Sequence, residues 1–199
     1  MTLVVDYGAG NLRSAAKALE AAGATRVVVS GAAADVAAAD RIVLPGVGAF
    51  AQCVGALRGV PGLVDALETA VHGRGTPFLG ICVGMQLLAT RGHEHGVHAG
   101  LDWIPGEVVR LEPADPACKV PHIGWNDIKA LQPGFAGGSG YFVHSYRLAA
   151  ANDADVVATS DHGGEFAAAV RRGNVTGVQF HPEKSQAYGL AFLRDWLAA

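Results

Sequence analysis

The chain has 199 residues, 50% of them hydrophobic and only 17% charged, with a formal net charge of −3 at pH 7. That composition excludes a disordered chain, and the length suffices for one domain with a sizeable core. Lys and Arg are scattered singly and no apolar run reaches the roughly 18 residues that span a bilayer, so neither a nucleic acid nor a membrane is expected as a partner.

Leu3 to Asp6 reads as a short buried strand, closed by the turn Tyr7-Gly8-Ala9-Gly10-Asn11. Leu12 to Ala22 is helical in pattern, with Leu12, Ala15, Ala16 and Leu19 on one face and Gly23 as the stop. Strands follow at Arg26 to Val29 and Arg41 to Leu44, with an alanine-rich helical stretch between them. Phe50 to Leu57 and Gly62 to Val71 are helical pieces broken by Pro61. Phe78 to Ile81 is the next strand, and Met85, Leu87, Leu88 and Ala89 continue it as a helical pattern. Apolar strands alternating with helices predict an α/β fold with a central, mostly parallel sheet flanked by helices. Ligands bind such sheets beyond the carboxyl ends of the strands, where Gly8, Pro45 to Gly48 and Cys82 all fall.

The second half changes character. Glu107 to Leu111, Trp125 to Ile128, Tyr141 to Tyr146, Asp155 to Thr159, Glu165 to Arg171 and Val175 to Phe180 are short, β-rich and separated by turn residues. They predict an antiparallel extension, and with no long linker the whole chain, residues 1–199, reads as a single domain. A helix from about Gln186 to Leu197 follows. The N-terminus enters a strand directly, without a basic leader, and three cysteines without Cys-x-x-Cys spacing fit a reducing compartment; a cytoplasmic location is expected.

Chemistry concentrates at Gly80-Ile81-Cys82-Val83-Gly84, a Gly-x-Cys-x-Gly at a strand-to-helix junction. This is the cysteine counterpart of the nucleophile elbow, in which flanking glycines let neighbouring backbone pass close to a strained turn. Helix N–H groups beside the sulfur favour thiolate and bring cysteine pKa values from about 8.5 into the roughly 3.5–7.5 range. Taken alone, Cys82 fits either a nucleophile or a small core hydrophobe. His181-Pro182-Glu183, at the end of a strand, supplies what decides between them. His181 would take and return the thiol proton, Glu183 would orient its ring, and Pro182 would stiffen the pair. Pro45-Gly46-Val47-Gly48 follows a parallel strand, and its glycines let a peptide rotate so that the Val47 N–H meets a developing oxyanion. The Val83 N–H, directly after the nucleophile, is the second donor expected.

Other patterns carry less. Gly8-Ala9-Gly10 resembles the start of a dinucleotide fingerprint, but Arg13 stands where a third glycine belongs and Ser30, not an acid, ends the second strand. His93, His95 and His98 fall on a polar loop that reads as solvated rather than as a metal site. Cys53 and Cys118 lack a local base and read as structural.

The elbow Gly80 to Gln86 with the distant His181-Pro182-Glu183 resembles the triad-type class I glutamine amidotransferase family over nearly the whole chain. Asp6 to Asn11, Pro45 to Gly48, Lys119 to Asn126, Tyr141 to Tyr146 and His181 to Ser185 make it similar to the branch serving imidazole glycerol phosphate synthase in histidine biosynthesis. That resemblance implies catalytic Cys82, His181 and Glu183, an oxyanion hole from Val47 and Val83, and L-glutamine held by Gly48, Gln86, Ser145 and Tyr146. It implies a (β/α)8 cyclase subunit as partner, met near Asn11, Trp125, Asn126, Tyr141 and Lys184, and neither metal nor organic cofactor. It further implies a glutaminase nearly idle until the cyclase site is occupied. Another amidotransferase of the class, or a cysteine-peptidase-like relative, are the alternatives.

Overall fold

In the computed structural model, which describes residues 1–199, the β-branched runs of the first half become parallel strands. β1 (Thr2–Val5), β2 (Val27–Ser30), β3 (Arg41–Gly46) and β4 (Phe78–Cys82) run parallel, and β13 (Val175–Val178) joins β4 in the same direction. The sheet continues antiparallel through β12 (Glu165–Arg172), β11 (Val156–Asp161), β8 (His122–Ala130) and β9 (Gly138–His144). Its nine strands lie in the order 2-1-3-4-13-12-11-8-9. The register sets Gly46 beside Cys82, so the turn after β3 and the elbow after β4 meet at one end of the sheet.

Helices cover the parallel part on both faces, which is why β1 and β4 are buried along their whole length instead of alternating. α1 (Leu12–Ala21) packs beside α6 (Gln186–Ala198), while α2 (Ala33–Ala38) and α3 (Phe50–Gly59) pack on α4 (Leu63–Glu68). The helical piece predicted to Val71 turns into a wider π-type turn over Thr69–Gly73.

Three features depart from expectation. Helix α5 (Val83–Gln86) is one turn long, and Leu87 to Ala89 leave it although their pattern reads as helical. All three are fully buried, and their carbonyls accept hydrogen bonds from Leu101, Asp102, Trp103 and Ile104 rather than from a continuing helix. Tertiary packing has overridden local preference there. The second departure is a separate four-stranded sheet in the order β10 (Tyr146–Ala150), β7 (Gly106–Arg110), β5 (Arg91–Gly92), β6 (His98–Ala99). Of the histidines expected on a loop, His93 and His95 lie in the tip of its β5–β6 hairpin, while His98 opens β6, paired with Gly92. Third, the strand predicted over Tyr141 to Tyr146 splits at Ser145, where the chain passes from β9 in one sheet to β10 in the other. Val108 and Leu148 of the small sheet share one buried apolar cluster with Leu44 and Phe78 of the large one, so both sheets enclose a common core.

Candidate active site

Cys82 ends β4 with φ 56° and ψ −113°, a conformation side-chain-bearing residues rarely adopt and one that costs about 1–3 kcal/mol. The flanking glycines are needed for space. A Cβ on Gly84 would lie 1.9 Å from the Leu44 carbonyl oxygen, one on Gly80 2.5 Å from Gly84 O, and one on Gly46 2.6 Å from Gly84 N. The elbow is thus wedged against the end of β3. With α5 only one turn long, the helix dipole expected beside the sulfur shrinks to the few free N–H groups of that turn.

The sulfur is buried, and Gln179 donates toward it from Nε2 at 3.7 Å while the Val143 carbonyl oxygen lies 3.9 Å away. His181 follows β13 and lies in a cleft wall with Cys82. Its Nδ1 donates to Glu183 Oε1 at 2.7 Å, and the two side chains are only 2% and 3% exposed. Nε2 has no hydrogen bond of good geometry, so the nitrogen available to the sulfur or a ligand is the one not held by Glu183. Burial pulls the His181 pKa down, but the Cys82 sulfur and the Glu183 carboxylate together outweigh it and lift the value to about 9. The loop is fixed to β9: His181 N donates to Tyr141 O at 2.8 Å, and Ser185 Oγ bridges Tyr141 N (2.9 Å) and His181 O (2.6 Å).

Opposite, β3 extends through Pro45 and Gly46 before turning at Val47, which is 43% exposed, and Gly48, whose φ of 102° suits glycine. The Val47 carbonyl accepts from Cys53 Sγ at 3.3 Å, which gives Cys53 a structural task at the loop. Gln86 is buried. Its amide nitrogen donates to Tyr146 O and to Gln179 Oε1, both at 3.0 Å, leaving its carbonyl oxygen as the group free for a ligand.

These pieces enclose a cleft of about 270 Å³. Of the predicted site residues, Val47, Gly48, Cys82, Val83, Gln86, Ser145, Tyr146, His181 and Lys184 line it, and Glu183 stands behind His181. Four lining residues escaped sequence reasoning, among them Pro121, just before β8. Glu94 comes from the β5–β6 hairpin and accepts from Phe50 N at 2.8 Å, at the start of α3. His144 and Val143 come from the end of β9. Gln179, also missed, was within reach of the two-residue period that places it on the side of His181. A larger groove of about 590 Å³ lies at the opposite end of β4 and β13, against α6, and contains no cysteine or histidine.

Trp125, 48% exposed, meets the Tyr141 ring edge-on at 6.1 Å, and Lys184 Nζ stands 5.8 Å from the same ring. Asn126 is turned to the other face of β8, where its amide nitrogen donates to Asp161 O at 2.7 Å. Asn11 caps the start of α1 without a side-chain bond. His93 pairs with Glu107 at 2.9 Å, and no three metal-binding side chains converge anywhere in the chain.

Residues 3–198 match the family model "Glutamine amidotransferase class-I". Among curated proteins, "Imidazole glycerol phosphate synthase subunit HisH" of Zymomonas mobilis subsp. mobilis is 56% identical over 199 residues, covering 98% of this chain and 93% of that one. The protein of the same name from Caulobacter vibrioides is 54% identical over 98% and 96%. Among solved structures, a crystal structure of a glutamine amidotransferase superposes with a TM-score of 0.77 at 18% identity, covering 99% of both chains. The PurLQS structure from Thermotoga maritima gives 0.66 at 22% identity, over 99% of this chain and 95% of that one.

Proposed function

The chain belongs to the class-I glutamine amidotransferases, and from that premise we propose that it is the glutamine-hydrolysing subunit of an imidazole glycerol phosphate synthase. The single observation that carries the chemistry is the meeting of a strained Cys82 with the His181–Glu183 pair in one small cleft.

The Cys82 sulfur attacks the side-chain carbonyl carbon of L-glutamine. The proton held on His181 passes to the departing nitrogen, ammonia leaves, and a glutamyl thioester remains on the sulfur. Water then attacks the thioester with His181 as base, releasing glutamate and restoring the thiol. Glu183 keeps the proton on Nδ1 and stabilises the imidazolium, so that Nε2 does the exchanging. Val83, first residue of α5, has an N–H with no helical partner and is one oxyanion donor. Val47 supplies the other after rotation of the Gly46–Val47 peptide. A donor of this kind is worth about 2.7–4 kcal/mol, enough to make turnover conditional on the loop.

Glutamine presents an α-ammonium and an α-carboxylate besides the amide. The Glu94 carboxylate and the free Gln86 oxygen suit the first; Gly48 and the Ser145–Tyr146 segment suit the second. Ammonia passes to a (β/α)8 cyclase subunit, which makes imidazole glycerol phosphate and an aminoimidazole carboxamide ribotide. Trp125, Tyr141 and Lys184 form the contact surface, and the complex works in the cytoplasm.

The test is glutamate release by the chain with its cyclase subunit and cyclase substrate. Release that disappears in Cys82→Ala while the subunits still associate is the expected result. Undiminished release by Cys82→Ala would overturn the reading.

A further inference from the structure

From β8 across β9 to the start of β10, four groups form one hydrogen-bonded line. Asn126 Nδ2 stands 3.2 Å from His122 Nε2, His122 Nδ1 stands 3.0 Å from His144 Nε2, and His144 Nδ1 stands 2.9 Å from Tyr146 O. Both histidines are buried, at 4% and 6% exposure.

The ends of the line dictate its direction. Tyr146 O only accepts, so His144 Nδ1 carries a hydrogen; in the neutral ring His144 Nε2 then accepts, and His122 Nδ1 must donate. His122 Nε2 accepts in turn from Asn126 Nδ2. The Asn126 amide is itself fixed, since Nδ2 also donates to Asp161 O at 2.7 Å and Oδ1 accepts from Asp127 N at 2.8 Å. An extra proton on either ring would set N–H against N–H at one joint. Burial acts the same way, holding His122 at about 4 and His144 at about 3, with the charges of His162, stacked 4.0 Å from His122, and of His181 adding to the effect. A polar line of this kind is costly to bury unless every joint is made.

Its far end is functional. Tyr146 O is the same atom that receives the Gln86 amide, and Gln86 connects onward through Gln179 toward the Cys82 sulfur. We propose that His122 and His144 are positioning residues, a neutral one-way hydrogen-bond chain that fixes the Tyr146 carbonyl and thereby the Gln86 oxygen offered to the substrate. In its functional part this rests on the glutaminase reading of the cleft.

Two measurements decide it. Nitrogen-15 NMR of the histidine rings at pH 6 to 7 shows both His122 and His144 neutral with the hydrogen on Nδ1. A charged ring, or an Nε2–H tautomer on either, overturns the chain. In the complex with the cyclase subunit, His144→Phe keeps the aromatic packing but removes the donor to Tyr146 O. It raises KM for glutamine by about five- to tenfold, the worth of one oriented hydrogen bond, with kcat held within about threefold. His144→Asn, whose amide reaches the same carbonyl, recovers most of that loss. His122→Phe, which spares the last joint, raises KM less and shifts the His144 tautomer equilibrium. A fall in kcat at unchanged KM, or an Asn variant that folds yet does no better than Phe, overturns the positioning role. Should the wild-type complex release no glutamate, the glutaminase reading and the positioning of Gln86 for glutamine fall together, while the tautomers still decide the chain itself.

Discussion

Acid destabilises this chain through its two buried, neutral histidines. The perturbation is a drop from pH 7 to pH 5. In the unfolded chain His122 and His144 titrate at the ordinary value of 6.5, whereas in the native state they are held at about 4 and about 3. Between pH 6.5 and 5 the unfolded state therefore takes up protons that the native state refuses, so stability falls as pH falls. At 1.36 kcal/mol per pH unit, a ring that stays wholly neutral loses about 2 kcal/mol over that interval. Discounting His122, whose one face is covered only by the half-buried His162 ring, leaves about 3 kcal/mol for the pair. The assay is urea unfolding at both pH values, on the wild type and on the double variant His122→Phe/His144→Phe. The variant is expected to lose about 3 kcal/mol less than the wild type between pH 7 and 5. His181, whose raised pKa has the opposite sign, is common to both proteins and cancels from the difference. Equal losses in the two proteins would refute the reasoning.

His181 gives the alkaline counterpart: its stabilisation is complete below 6.5 and is lost as pH rises through about 9, so its ring resonances are expected to titrate near 9. Glu183→Gln keeps a hydrogen-bonding group but removes the charge, which lowers that midpoint and reduces kcat for glutamate release. Gly84→Ala forces a methyl to 1.9 Å from Leu44 O and is expected to lower stability by about 3 kcal/mol or more, read as a fall in Tm with loss of activity. Trp125→Ala removes the exposed ring beside Tyr141 and is expected to weaken binding of the proposed cyclase partner by about 2 kcal/mol, measured by titration calorimetry.

The parallel half was legible in the sequence because continuous apolar runs such as Leu3 to Val5 and Phe78 to Ile81 have one reading when bounded by glycine turns. The elbow at Cys82 and the His181–Glu183 contact were legible for a similar reason: each is made by residues one or two positions apart. Glu94 was not, since what matters is its reach across to Phe50 N, and nothing in His93-Glu94-His95 announces that hairpin. The same holds for Leu87 to Ala89, whose helical pattern yields to hydrogen bonds from the segment at Leu101 to Ile104. The His122–His144 pair has a sequence separation of 22, and only the β8–β9 register joins it.

The hand-over at Ser145 has a mechanical consequence. The segment proposed to grip glutamine belongs wholly to neither sheet, because β9 stops at His144 and β10 starts at Tyr146. A ligand bound there would span a seam, between Cys82 and His181 at the end of the large sheet and Glu94 beside the small one. Substrate would then act as a rivet between two otherwise separately hydrogen-bonded plates. Amide exchange at the ends of β9 and β10 would slow on binding glutamine even though neither strand gains a partner.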